Sequence, residues 1–211
     1  MSSLLRFCPD RHLAFALLFE AAMFYTTTPT LTGRSSEPKS QPANASSEHD
    51  FDFLVGTSIV QHRRLKQRLA HGTEWETFSG TCKTWLLLDG QGDVDDNVLQ
   101  APAGTYRAVT LRSFDPATKL WSIWWLDSRH PHELDPPVVG GFRNGIGTFF
   151  AKDTFGGRPI IVRYIWSDIT PHSAKWQQAF SDDGGKTWET NWLMEFRRTV
   201  PTQPEQFNNL P

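Results

Sequence analysis

Residues 173–198 read SAKWQQAFSDDGGKTWETNWLMEFRR and indicate the fold class more directly than any other stretch. Asp183 and Gly184 mark a tight turn, and the segments on either side alternate as in a β-hairpin with one buried face. Pairing across this turn predicts four facing pairs on one side of the hairpin: Phe180–Trp188, Gln178–Thr190, Trp176–Trp192 and Ala174–Met194. The other side carries polar and charged residues: Lys175, Gln177, Glu189, Asn191, Glu195 and Arg197. We therefore expect the aromatic side to face the interior, with Gln178 there either as a satisfied core amide or as a ligand-orienting group.

Similar short segments recur at intervals of about ten residues from His49 onward. The predicted strands are 57–68, 73–88, 93–99, 105–114, 121–127, 138–143, 146–153, 159–167, 173–181 and 187–198. Turn signals separate them, including Asn144-Gly145 and Gly156-Gly157. About ten antiparallel strands predict a sandwich or a closed barrel. We favour an all-β, single antiparallel lipocalin-like barrel, because closure removes exposed strand edges.

The composition limits the classes of function. The chain has 211 residues, of which 38% are hydrophobic and 13% aromatic, enough for the core of one domain. Its net charge of -2 argues against a nucleic-acid partner, which would call for a basic excess. No apolar run reaches the roughly 18 residues that a membrane span requires. Two cysteines, Cys8 and Cys82, rule out a disulfide framework.

The two ends of the chain differ from this body. Residues 13–24 (LAFALLFEAAMF) follow Arg6 and Arg11 in the outline of a signal peptide, but Glu20 interrupts the apolar run. Residues 26–48 are rich in Ser, Thr and Pro and are predicted to be a disordered linker. The predicted organisation is an N-terminal extension over 1–48, a barrel over 49–198 and a disordered tail over 199–211. We expect a cytoplasmic protein, or a secreted one if residues 1–32 act as a signal peptide.

Two strand regions leave the direction of their faces open. If Phe114 pairs with Trp121, one face of the hairpin 105–127 collects aromatic and charged residues: Arg112, Ile123, Thr110, Trp125, Ala108 and Asp127. This mixed face is either a polar-lined pocket or an outer surface with exposed Trp. In strand 159–167, the face of Arg163 and Ile165 alternates with that of Val162, Tyr164 and Trp166, and either could be inside.

The linked order of several motifs carries a resemblance. The motifs are Asp50-Phe51-Asp52-Phe53-Leu54-Val55-Gly56, Phe114-Asp115-Pro116, Trp121-Ser122-Ile123-Trp124-Trp125, Gly140-Gly141-Phe142, Trp166-Ser167 and Ser181–Glu189. Together they resemble a calycin-like family catalogued as domain of unknown function 1579, over about residues 49–198. The resemblance implies a lipocalin-like barrel with a central cavity and implies no reaction.

One position departs from the lipocalin-like pattern. First strands of such barrels often carry Gly-x-Trp, with the Trp plugging the barrel floor, whereas this chain has Gly56-Thr57-Ser58. Either another Trp fills the floor or the cavity is deeper. A second motif, Ser181-x-Asp183-x-Gly185-x-Thr187-Trp188, matches the Asp-box of β-propellers. A single copy cannot build a propeller, so we interpret it as a staple for the last hairpin.

Metal, haem and nucleophile chemistry have little support in the sequence. His130-Pro131-His132 is the only close His pair and lacks further ligands, so we expect no metal. His62 could serve as a haem ligand, but a solvent-facing His beside Arg63 and Arg64 is favoured, and we expect no cofactor. Cys82 is interpreted as an inert buried thiol. The acidic stretch 93–97 could hold Ca²⁺, but a solvated turn is favoured.

The leading hypothesis is a barrel that binds a small apolar or aromatic molecule. The predicted cavity walls are Trp75, Trp125, Trp166, Trp176, Trp192 and Met194. Arg112, Asp127, Gln178 and His62 are the polar candidates to orient the ligand. One alternative is a metal-independent enzyme, an isomerase, cyclase or dehydratase of a small natural product, with His62, Asp127 and Arg112 as candidate catalytic residues. Another is a structural or interaction protein whose barrel is filled; the oligomeric state stays open.

Overall fold

The structure, a computed structural model, describes residues 46–199. Its strands are β1 (Gly56–Leu65), β2 (Trp75–Leu87), β3 (Gly92–Ala101), β4 (Gly104–Asp115), β5 (Leu120–Asp127), β6 (Val138–Arg143), β7 (Ile146–Phe155), β8 (Arg158–Ser167), β9 (Ser173–Ser181) and β10 (Glu189–Arg198). Short 3-10 turns occupy Asp52–Leu54 and Leu88–Gly90. Each strand pairs antiparallel with the next, and β10 returns to β1 to close the barrel. The predicted barrel is confirmed, with strand ends within about three residues of those expected.

The parts of the chain predicted to be tails fall largely outside the described residues. This holds for the signal-like run 13–24, for most of the linker, and for residues 200–211. Within residues 46–199, no helix has the length and apolar character needed to cross a membrane. Ser47, which the sequence groups with the linker, accepts a hydrogen bond from the Trp121 indole at 3.1 Å through its carbonyl.

The hairpin β4–β5 has the predicted register. Phe114 faces Trp121, and the mixed set from Arg112 to Asp127 follows in the expected pairs. These side chains point into the barrel, so the mixed face is interior and not an outer surface. In β8 the inner face is that of Val162, Tyr164 and Trp166, while Arg163 lies outside against the Trp188 ring.

The hairpin β9–β10 corrects part of the predicted register. The predicted inner residues of β9 do face inward, but the turn offsets the pairing by one residue, so that Phe180 faces Glu189 instead of Trp188. A β-bulge between Thr190 and Trp192 adds a second residue, so that Trp192 faces Gln178 and Met194 faces Trp176. The extra residue of the bulge, Asn191, was expected outside and is fully buried. Trp188 was expected inside and instead packs outside, with its ring 6.0 Å from that of Phe150.

The turn of this hairpin confirms the stapling role of the Asp-box motif. The Asp183 carboxylate accepts hydrogen bonds from the Ser181 hydroxyl at 2.7 Å and from the Thr187 amide at 3.0 Å. The Trp188 indole donates to the Gly185 carbonyl at 3.1 Å. These local bonds close the loop without any repeat of the motif.

One end of the barrel is closed by the segment that precedes β1. The ring of Phe51 inserts between Trp121 at 4.9 Å and Phe142 at 5.0 Å, in nearly perpendicular contacts that aromatic rings favour. Trp121 is 1% exposed and supplies the floor Trp that Ser58 does not. Of the two expectations for the floor, the replacement by another Trp is therefore confirmed.

Candidate ligand-binding site

The other end of the barrel contains a cavity of about 270 Å³. Its lower walls come from the middle of the strands, and its mouth from Arg64, Arg68 and the β5–β6 connection. Most of the predicted ligand-binding residues line it: Arg112, Trp125, Asp127, Trp166, Trp176, Gln178, Trp192 and Met194. The structure thus brings together residues from β4, β5, β8, β9 and β10, because every second residue of each strand faces inward.

Trp75 does not belong to this group. The buried positions of β2 are Phe78, Gly80, Cys82 and Thr84, so alternation places the odd-numbered Trp75 on the opposite face. Its ring lies 4.8 Å from the Arg63 guanidinium, on the outside of the barrel. The expectation that Trp75 forms part of the cavity wall is therefore wrong.

A buried ionic triad lies beneath the cavity. Arg112 is 4% exposed, and its two terminal nitrogens bond separately to Asp93, 1% exposed, and Asp95, 2% exposed, the latter at 2.6 Å. Asp95 also accepts a hydrogen bond from the Thr110 amide at 3.0 Å. One Asp93 oxygen and the Arg112 Nε have no partner among the described residues. The expectation of a solvated acidic turn is wrong, because β3 turns Asp93 and Asp95 inward.

The triad determines the ionisation of its members. Burial raises the pKa of Asp93, against the opposing effect of Arg112. Burial alone would lower the pKa of Arg112, but the Asp93 and Asp95 carboxylates outweigh it and raise that pKa. Arg112 is therefore a permanent cation held by two acids, with its guanidinium carbon 5.0 Å from the centre of the floor ring of Phe51.

Four aromatic rings form a connected row along the cavity. Tyr164 and Trp176 lie 4.8 Å apart at 64°, Trp176 and Trp192 lie 5.7 Å apart at 86°, and Trp192 and Trp125 lie 6.0 Å apart at 83°. All four line the cavity. Steeply inclined neighbours make walls of different orientation, so the row partly surrounds the space between them.

His62 is buried behind this row, and the expectation of a solvent-facing His62 is wrong. Its side chain faces inward with Ser58 and Val60 and is 4% exposed. It stacks on Phe78 with ring centroids 4.6 Å apart, and Trp192 Nε1 donates to its Nδ1 at 3.3 Å. Burial and the nearby Arg64 lower the pKa of His62 to about 3. The ring is therefore neutral at pH 7, and it is not among the residues that line the cavity.

Asp127 lies at the cavity mouth in an ion pair. Arg129 Nε donates to its carboxylate at 2.9 Å, and the Arg129 amide donates at 2.8 Å. Burial alone would raise the pKa of Asp127, but these hydrogen bonds outweigh it and lower that pKa. Arg129 also stacks on the Tyr106 ring at 3.7 Å. Asp127 is thus an anion whose carboxylate is already hydrogen-bonded to Arg129.

Gln178 joins the cavity wall to the bulge of β10. Its Nε2 donates to Asn191 Oδ1 at 2.8 Å, while the side chain also lines the cavity. The Asn191 Nδ2 has no partner among the described residues. The predicted core amide therefore has a partner, and that partner is a residue the sequence placed outside.

Neither a reactive thiol nor a metal-binding group is found among residues 46–199. Cys82 is buried, and burial raises its pKa to about 12, so its thiol is protonated as expected for an inert position. Within residues 46–199, no group of three or more His, Cys, Asp or Glu side chains is arranged to hold a metal ion.

Sequence reasoning missed several residues of the site. The missed residues are Arg64, Arg68, Asp93, Asp95, Asn97, Arg129 and Tyr164. A signal existed for Asp93, Asp95 and Asn97, which alternate in one strand as residues of a single face do. Arg64 lies near the end of β1, and Arg68 and Arg129 lie in the connections that follow β1 and β5, where alternation does not indicate a cavity.

Comparisons with known proteins give the following similarities. No family model matches the chain, and no curated protein matches it. Among solved structures, the S-type phycobiliprotein lyase CPES from Guillardia theta is 13% identical with a TM-score of 0.49, covering 74% of this chain and 93% of that chain. The protein EF1p2_mFAP2b bound to DFHBI is 11% identical with a TM-score of 0.37, covering 72% of this chain and 98% of that one. At such identities, neither match gives this chain a function.

Proposed function

We propose that this protein binds a small aromatic molecule in the barrel cavity. The observation that carries the proposal is the row of four rings, Tyr164, Trp176, Trp192 and Trp125, which line open space instead of filling it. Protein interiors are normally close-packed, so an aromatic-lined cavity of about 270 Å³ favours an occupant. Small-molecule sites commonly measure about 300–1,000 Å³, so the molecule is compact.

The enzyme alternative receives less support from the geometry. His62 lies outside the cavity lining and is a weak base. Asp127 is neutralised by Arg129, and Arg112 is held by two carboxylates. A general acid or base must reach the proton that it transfers, and none of these candidates is free to do so. The filled-barrel alternative predicts no cavity, whereas the barrel has one.

Membership of the calycin-like family known as domain of unknown function 1579 is part of this proposal. Its support is the structural role of the motifs that carry the resemblance. Residues 50–56 supply the Phe51 plug, and Ser181–Glu189 supplies the stapled turn. The plug and the staple both stabilise the barrel and do not line the cavity, so the resemblance supports the fold and leaves the ligand open.

Adjacent tryptophans on β5 provide the experiment. Trp125 lines the cavity, whereas Trp124 is on the opposite face of the same strand, where it pairs with Leu111. We would titrate the full chain with 2-naphthol, a neutral two-ring probe, and follow the fluorescence of the probe. Trp125→Leu should weaken binding by at least about tenfold, equivalent to about 1.4 kcal/mol, and Trp124→Leu should leave the Kd within about twofold.

Two results would contradict the proposal. The first is the absence of saturable 2-naphthol binding by the folded wild-type protein. The second is an equal loss of affinity in Trp124→Leu and Trp125→Leu, since the outer residue does not touch the cavity. Circular dichroism of both variants checks that each retains the barrel.

A further inference from the structure

We propose that the preferred ligand of this cavity is an organic cation, such as an aromatic or alkyl ammonium ion. This inference rests on the proposed function, because it names the chemical class of the molecule held in the same cavity. It draws on three observations: the arrangement of the rings, the cation that the protein itself places on one of them, and the excess of carboxylates around the cavity.

The ring arrangement suits a cation. The faces of aromatic rings carry partial negative charge and attract ammonium groups within about 6 Å, and several rings around one space recognise quaternary ammonium ligands. Tyr164, Trp176, Trp192 and Trp125 follow one another at 4.8, 5.7 and 6.0 Å, each steeply inclined to the next. Inclined rings present faces and edges from different sides of the cavity, which a flat stack would not do.

The protein already places a cation on this row. The Arg64 guanidinium lies 5.2 Å from the centre of the Trp192 ring and 5.1 Å from that of Phe78. Its charge is balanced by Glu76, which accepts hydrogen bonds at 2.9 and 2.6 Å. The Trp192 ring is therefore used in cation binding within the fold, and the paired Glu76 reduces the repulsion that Arg64 would exert on a second cation.

The charges around the cavity are unequal. Three of its four arginines, Arg64, Arg112 and Arg129, are bonded to carboxylates, and Arg112 is bonded to two. Only Arg68 has no carboxylate within 4.0 Å among residues 46–199; it lies over Phe155 and Phe180 instead. The carboxylates that line the cavity or bond to its arginines are Glu76, Asp93, Asp95, Asp127, Glu133, Asp135 and Asp153.

This set gives the cavity an excess of negative charge. Three of its members at the mouth, Glu133, Asp135 and Asp153, have no Arg or Lys partner in the described part of the chain. Desolvation at the mouth and the neighbouring Asp153 raise the pKa of Asp135. A bound cation would relieve this repulsion, and the same carboxylates would attract cations toward the opening.

The test separates charge from shape. Phenyltrimethylammonium and tert-butylbenzene have nearly the same size and shape, and only the first is charged. Benzenesulfonate is the anionic counterpart. Each probe is competed against 2-naphthol bound to the full chain, at low and at high salt. We expect phenyltrimethylammonium to compete at a concentration at least about tenfold lower than tert-butylbenzene, with the difference decreasing at high salt.

Variants connect the effect to the mouth. The double variant Asp135→Asn, Asp153→Asn should weaken the binding of phenyltrimethylammonium at least about fivefold. It should weaken the binding of tert-butylbenzene less, because only the cation is attracted by the carboxylates. The control is Asp96→Asn, which removes a carboxylate from the outer face of β3 and should change neither probe.

The outcomes distinguish the inference from the proposed function. Equal competition by the charged and neutral isosteres would overturn the proposed preference for a cation. The cavity would then be a site for aromatic molecules regardless of charge. Stronger competition by benzenesulfonate would also overturn it and would point to Arg68 as an anion-binding residue. If neither 2-naphthol nor any of the three probes binds, the proposed function fails together with the inference.

Discussion

The two halves of the barrel interior are both built from strands whose alternate residues face inward. One half is plugged by an inserted side chain, and the other contains a cavity. In the closed half, the segment before β1 inserts Phe51 among Trp121, Phe142 and Phe149, whose ring centres lie 4.9, 5.0 and 5.8 Å from its own. In the open half, aromatic rings that include Trp176, Trp192 and Trp125 line a cavity of about 270 Å³. Strand alternation decides which residues face inward, but the plug decides whether the interior is filled.

Each half also holds an arginine bonded to aspartate, and the two systems have opposite character. Arg112 is almost fully buried between Asp93 and Asp95, whereas the Arg129 side chain at the mouth is 48% exposed beside Asp127. Water screens the second pair and hardly reaches the first. Removing one partner from a buried pair leaves uncompensated charge, which is far more destabilising than losing an exposed pair.

The largest expected effect is at the buried triad. Arg112→Leu leaves the Asp93 and Asp95 carboxylates without their cation and should reduce the free energy of unfolding by about 3–5 kcal/mol. Urea denaturation measures the loss. The matched control is Arg107→Leu, whose ion pair with Asp96 lies on the outer face and should contribute less than about 1 kcal/mol. Similar losses in the two variants would show that the buried ion pairs of Arg112 contribute no more to stability than the exposed pair of Arg107 and Asp96.

An intermediate effect is expected for acid stability at His62. Its pKa in the folded protein is about 3, below the ordinary value of 6.5, so below pH 6.5 the unfolded chain binds a proton that the folded chain does not. Stability is therefore lost as pH falls through this range, by about 1.4 kcal/mol per pH unit. Between about pH 7.5 and about pH 5, wild type should lose about 2 kcal/mol more than His62→Gln.

The control for His62 is His130→Gln, which changes an exposed histidine of the β5–β6 connection. Urea denaturation at both pH values gives the comparison. If His62→Gln shows the same acid sensitivity as wild type, His62 is protonated equally easily in the folded and unfolded chains. That result would contradict the burial of its ring.

The smallest effect is expected at the mouth. Arg129→Ala removes the exposed partner of Asp127 and should change the free energy of unfolding by less than about 1 kcal/mol. Thermal denaturation compares it with Arg112→Leu under the same conditions. A loss above about 2 kcal/mol in Arg129→Ala would mean that the mouth is packed as tightly as the floor.

The sequence predicted the architecture well because turns and alternation are local signals. Asn144-Gly145 and the Asp183 turn mark hairpins directly, and the predicted register of β4–β5 is confirmed. The register of β9–β10 was wrong because the turn offsets the pairing by one residue, which turns Asn191 inward, and a bulge then adds a second residue. Neither shift has a sequence signal of its own. Most of the predicted cavity residues line the cavity, since they share the inner face with the core.

The sequence by itself thus determined the ten strands, the inward face of most of them, and the aromatic character of the interior. It did not determine the side on which Trp75 and His62 lie, or that Asp93 and Asp95 meet Arg112 in the interior. Only the tertiary structure decided these, because the cross-strand pair that Asp93 on β3 forms with Arg112 on the neighbouring strand β4 becomes interior only when the barrel closes around it. The plug at one end and the opening at the other likewise depend on chain segments that meet only when the barrel closes.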